Sequence, residues 1–181
     1  MHALEMLVPG DINTLTGGYE YDRRMLAGLR ARRWLVRLHE LDAGFPFPSA
    51  AALDQVAKLL ATFPDDSRVL IDGLALGAMP AQACAAAARM QIVGLVHHPL
   101  ALESGLSASQ ATHLRQSEQQ ALRCVARIIV TSAATAETLR AWGLADAAIR
   151  VVEPGTDAQP QAARDVQRLL RPGHVPRLLC V

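Results

Sequence analysis

The sequence predicts an α/β domain, a Rossmann-like, doubly wound and mainly parallel sheet with helices on both faces. Three observations predict it. Short unbroken apolar runs, such as Val69-Leu70-Ile71 and Ile92-Val93-Gly94-Leu95-Val96, suit strands buried on both faces. Between such runs, apolar residues recur at the spacing of amphipathic helices. Glycine, histidine, hydroxyl and acidic residues gather just after the strands, at Gly17-Gly18, Asp72-Gly73, His97-His98, Thr131-Ser132 and Gly155-Thr156-Asp157. In an open parallel sheet those positions share one edge, where ligands bind.

The elements follow in order. Leu4, Met6, Leu7 and Val8 make a first strand that stops at Pro9-Gly10. A polar loop then closes on Gly17-Gly18 and feeds a helix whose stripe is Tyr21, Met25, Leu26 and Leu29. Glycines without a Cβ let backbone N–H groups approach an anion, and a helix N-terminus favours negative charge. A tight strand-to-helix turn is the structural alternative. The glycines are adjacent, so the loop is not the dinucleotide fingerprint, and no Lys-Ser/Thr follows as a Walker loop requires.

Trp34 to Leu38 reads as the second strand, and Ala43 to Pro48, with its prolines and glycine, as a connection. Ser49 caps a helix to about Phe63 that turns Leu53, Val56, Leu59 and Leu60 inward. After the strand Val69–Ile71, an alanine-rich helix occupies Pro80 to Arg89. The strand Ile92–Val96 ends at His97-His98-Pro99. Ser107 with Gln110 forms a capping box opening a helix to Val125. Arg127 to Val130 is a strand, Ala134 to Trp142 a helix stopped at Gly143, and Ile149 to Val152 a last strand. The tail carries a short helical pattern near Val166 and ends in the apolar run Arg177–Val181.

Composition narrows the function. The 181 residues suit one domain, with a hydrophobic content of 51% and an aromatic content of only 4%, so small side chains should dominate the packing. A net charge of +1 without blocks of like charge argues against a nucleic-acid surface. Lys58 is the sole lysine, an arginine bias in keeping with GC-rich coding. Cys84, Cys124 and Cys180 are widely separated and odd in number, so they are expected to be buried, reduced thiols of an intracellular protein. No signal-like segment or bilayer-length apolar run is present in the sequence, and a cytoplasmic location is the expectation.

Four motifs in order carry a family resemblance. GGYEYDRRML, LVHHPLALESGLS, IIVTSAATAETL and IRVVEPGTD resemble the N-terminal half of family 4 glycosyltransferases, between about Leu4 and Asp157. These are retaining enzymes of the B-type fold, with two Rossmann-like domains facing each other across a cleft. The resemblance implies an acceptor-side domain over residues 1–157. It implies that 158–181 are an interdomain linker and the first strand of a donor-binding domain. The implied partners are a nucleotide-diphosphate sugar donor, an acceptor that is a sugar, lipid or small molecule, and the chain's own C-terminal domain. No nucleic acid, transmembrane segment, cofactor or metal is expected, while peripheral membrane contact stays open. The piece alone is expected to be inactive.

The same resemblance assigns residues. Gly17 and Gly18 would reach the donor diphosphate and transferred sugar, and a histidine after the fourth strand would lie at the reaction centre. Spacing from the strand favours His97, whereas the HPLA context favours His98. A His-His metal site would need further ligands that the spacing does not supply. Glu20, Glu103 and Ser132 are weaker acceptor candidates, against solvated carboxylates and a helix cap as bland alternatives. Pro154 and Gly155 are expected at the interdomain hinge. Competing functions are a non-catalytic Rossmann-like binding module and half of a sugar-nucleotide epimerase. A nicotinamide dehydrogenase is disfavoured by the missing fingerprint and by the lack of a suitable acid ending the second strand.

Overall fold

The computed structural model describes residues 2–157. Six strands form one sheet in the order β2-β1-β3-β4-β5-β6. They are β1 (Ala3–Pro9), β2 (Leu35–Leu41), β3 (Arg68–Asp72), β4 (Gln91–Val96), β5 (Arg127–Val130) and β6 (Ile149–Val151). Every pairing is parallel, with Met6 opposite Leu38 on one side and Leu70 on the other. The helices are α1 (Gly17–Ala31), α2 (Ala50–Ala61), α3 (Gly73–Leu76), α4 (Pro80–Ala87), α5 (Ala108–Cys124) and α6 (Ala133–Ala141).

Strand periodicity divides the core in two. Val69, Ile71, Ile92 and Val96 point to the side packed by Val56, Leu60, Ala83, Leu122 and Leu139 from α2, α4, α5 and α6. Leu4, Met6, Val8, Leu70 and Leu95 point to the other side, beneath Leu26 of α1. That division follows from chain direction. The chain steps from β1 outward to β2 and then returns past β1 to β3, so among the described residues right-handed crossovers place α1 opposite the other helices. The reversal lies between β1 and β3, the place in such sheets where a crevice opens at the carboxyl ends.

Alanine-rich, close packing is realised as expected. A Cβ on Gly94 would meet Leu76 Cδ2 at 2.6 Å, and one on Gly73 would meet the Leu95 carbonyl oxygen at 2.9 Å. The helix starts also match their chemistry. Thr16, Ser49, Ser107 and Ser132 each accept a backbone N–H as N-caps, an interaction worth about 1 kcal/mol. Gly143, at φ +81°, ends α6 in the left-handed region that a side chain would resist.

Several expectations need correction. Gly17 and Gly18 are the first two residues of α1, not its approach loop; Thr16 caps the helix before them. The short α3 was missed because it follows β3 without a loop, with Asp72 both ending the strand and accepting from Leu74 N at 2.8 Å. The second strand runs on to Leu41, so an acid, Glu40, does stand near its end; its Oε1 accepts from Ile12 N at 3.0 Å. Cys84 and Cys124 are not separate thiols but a disulfide joining α4 to α5, with Cα atoms 5.1 Å apart. Packing those two helices brings distant positions together, which linear spacing does not reveal. Cys180 and the expected linker and strand in 158–181 lie outside the described residues.

Candidate active site

The site is built on the first turns of α1 and the ends of β3 and β4. Asp22 lies one turn before Leu26, on the inward stripe of α1, and is completely buried. Asp72 is held at the end of β3 by its capping role. Between them stands His97, whose Nε2 lies 3.1 Å from Asp22 Oδ1 and 3.3 Å from Asp72 Oδ2. The Tyr21 ring meets the imidazole edge-on at 5.4 Å. Thr131 Oγ1 donates to the His97 carbonyl oxygen at 3.1 Å, tying the β4 end to the β5 end.

Gly18 lies against this imidazole. A Cβ there would sit 3.4 Å from His97 Cδ2, whereas one on Gly17 would meet nothing within 4 Å. The two glycines therefore differ. Gly18 lets the helix start rest on the histidine ring, and Gly17 leaves open space beside it.

Burial alone would lower the His97 pKa, but hydrogen bonds and charge from Asp22 and Asp72 outweigh it and raise it to about 9. Burial pushes the Asp22 carboxyl up, opposed by the hydrogen bond from His97. The three side chains bring donor atoms within 4.8 Å of one another, a spacing a cation could also use. His97 Nε2 is within hydrogen-bond distance of Asp22 Oδ1, and Asp72 Oδ2 stands slightly farther off. The sequence reading found no partners for a histidine here because the two acids lie 75 and 25 residues away in the chain.

His98, by contrast, is exposed and makes no side-chain hydrogen bond among the described residues. Glu20 is exposed and engaged by Arg23 and Arg24, both at the edge of α1. Glu103 is exposed just after the 3-10 turn Leu100–Leu102. The Ser132 hydroxyl is occupied in capping α6, where it accepts from Thr135 N at 3.1 Å. Pro154 and Gly155 follow β6 and, with α1, line a groove of about 550 Å³ that includes Gly17, Tyr21 and Arg24. Arg24 closes one end through two hydrogen bonds to Asp157, and Tyr21 OH donates to the Val152 carbonyl oxygen at 2.9 Å.

Glu118 was also missed. It is 1% exposed on α5, and its Oε2 accepts from Leu100 N at 2.9 Å, which pins the chain just after His97-His98-Pro99. The neighbouring Ser117 hydroxyl holds the Gly77 carbonyl oxygen at 2.6 Å. A signal was present in both missed acids: each stands on the apolar stripe of its helix, Asp22 before Leu26 and Glu118 between Leu114 and Leu122.

Burial pushes the Glu118 pKa from 4.5 up to about 8, against the pull of the Leu100 N–H and with Glu103 adding repulsion. The folded state therefore retains a proton that the unfolded chain releases, and stability should fall as pH rises from about 4.5 through about 8. Glu118→Gln, neutral and of the same shape, should remove this dependence. Urea unfolding at pH 5.5 and pH 8 should show the variant gaining up to a few kcal/mol on wild type at the higher pH, at roughly 1.4 kcal/mol per tenfold change in proton affinity. An equal difference at both pH values would show that Glu118 is not protonated in the fold.

Comparison with protein families matches residues 3–155 to the glycosyl transferase 4-like domain. The chain belongs to that family. This glycosyl transferase 4-like domain has the Rossmann-like parallel sheet expected of the N-terminal domain of a family 4 glycosyltransferase. No curated protein matches the chain. Among the described residues, no helix of the domain is long and apolar enough to cross a membrane.

Proposed function

We propose that this domain is the acceptor-side half of a retaining glycosyltransferase that takes its sugar from a nucleotide-diphosphate donor. The observation that carries the reading is the meeting of His97 with the α1 N-terminus at the sheet reversal, beside the open space at Gly17. A departing diphosphate gains negative charge as the glycosidic bond breaks. A helix N-terminus and a cationic imidazole supply opposing charge without rearranging. Asp22 and Asp72 are buried and engaged with His97, which leaves them poorly placed to attack an anomeric carbon.

Positioning and charge stabilisation therefore carry the chemistry, with no metal or cofactor assigned to it. The family resemblance supplies the remaining parts of the proposal. A second domain would bind the donor nucleotide and face this one across a cleft, closing about Pro154-Gly155 to exclude water. Residues 1–157 would form the acceptor-side domain and 158–181 the passage into the second. The acceptor is a sugar, lipid or small molecule, with Glu20, Glu103 and Ser132 the weaker candidates for touching it.

The test compares the product of the whole reading frame with residues 1–181. Binding and hydrolysis of UDP-, GDP- and ADP-sugars should be measured on both. The longer protein should bind one of them and the 181-residue chain should turn over none. Failure of the longer protein to bind any nucleotide sugar would remove the donor assignment.

A further inference from the structure

Asp22 lies within the first motif of the family resemblance without being assigned a role by it, yet it is the most deeply buried acid in the site and touches the His97 imidazole. The geometry around that ring is one-sided. Nε2 faces both carboxylates, at 3.1 and 3.3 Å, while Nδ1 makes no hydrogen bond among the described residues. A histidine whose Nε2–H donates to a carboxylate has two forms. When neutral it offers an Nδ1 lone pair, and when charged it offers an Nδ1–H.

We propose that Asp22 is a positioning residue which, with Asp72, keeps His97 an imidazolium, so that Nδ1–H is presented to a substrate oxygen as a charged donor and His97 does not act as a base. The surroundings agree from each direction. From α1 come Asp22 and the Tyr21 ring, and from the β3 end Asp72. Tyr19, the remaining titratable group near both acids, has its pKa raised by burial and then by the charges of Asp72 and Asp22, so it stays neutral. From the β5 side, among the described residues, come the hydroxyls of Thr131 and Thr135, both directed at the His97 carbonyl oxygen. Among the described residues, two acids and no second cation face the ring.

The inference rests on the glycosyltransferase reading for its consequence, but the charge state can be read without activity. Nitrogen-15 histidine spectra of the full chain, with His97 assigned by its loss in His97→Gln, should show both ring nitrogens protonated at pH 7.5. The titration midpoint should lie near 9. In Asp22→Asn the proton affinity should fall tenfold or more, and Asp22→Glu should restore part of it. A neutral His97 at pH 7.5 in the wild-type chain overturns the proposal, and that measurement needs no variant to fold. A midpoint unmoved in folded Asp22→Asn overturns the role of Asp22.

On the whole enzyme, the alkaline limb of kcat should move down by at least one pH unit in Asp22→Asn, with KM for the donor nearly unchanged. Loss of kcat equally at all pH values would indicate a merely structural residue and count against the proposal. If no form transferred sugar while the spectra behaved as stated, the reaction assignment would fall and the charged-donor assignment would stand.

Discussion

Replacing His97 by glutamine in the whole enzyme should lower kcat for sugar transfer by roughly 100- to 1,000-fold, the cost of losing one fixed, charged donor at a developing anion. Glutamine is chosen over alanine for a physical reason. Its amide can still donate to Asp22, so two buried acids are not left facing each other without a partner. The fold should survive, with a melting temperature within a few degrees of wild type. His98→Gln should stay within about threefold of wild-type activity, because the His98 side chain is exposed and makes no hydrogen bond among the described residues. The reverse pattern, with His98 sensitive and His97 tolerant, would move the reaction centre off this cluster. Measuring transfer with the donor found by the binding screen decides between them.

The second large effect concerns the paired glycines, which the structure separates. In Gly18→Val, the first added carbon already stands 3.4 Å from the His97 ring, and the methyl groups beyond it must displace the ring or the helix start. Transfer, read as kcat/KM, should fall about 100-fold, because an ångström of misplacement at a reacting centre has that scale. Gly17→Ala behaves differently. Its Cβ enters open space, and alanine in place of a helical glycine favours the fold by up to about 1 kcal/mol. Any loss there should appear in KM for the donor, with thermal stability unchanged or raised. If both variants lost stability equally, the helix start would be a packing feature and not part of the cleft.

The sheet was legible because buried parallel strands leave unmistakable apolar runs. Arg127–Val130 was placed to the residue, and the Ser107–Gln110 capping box is present in the structure. What escaped was whatever depends on chain reversal. The α3 turn follows β3 directly, with no glycine-rich gap or apolar period long enough to reveal it. Cys84 and Cys124 meet only because α4 lies beside α5. At the site, Gly18 and His97 were visible as residues after strands, but the acids holding the histidine were not. Asp22 and Glu118 were not singled out, although each interrupts an apolar stripe. An acid on a buried stripe is costly unless something pairs with it or protonates it. That cost was the signal available in the sequence.

The first turns of α1 carry obligations in several directions at once. Gly18 lies on the imidazole, Tyr21 touches both that ring and the Val152 carbonyl, Asp22 holds Nε2, and Arg24 grips Asp157. Each depends on a particular angle around the helix. Insertion or deletion of a single residue within the helix between Gly18 and Tyr21 would rotate everything after it by about 100° relative to Gly18. The partners of Tyr21, Asp22 and Arg24 would then be exchanged together, while Gly18 stayed in place. Within this stretch the chain can drift by substitution but not by change of length, so gaps in related sequences should fall in the preceding loop, between Gly10 and Thr16.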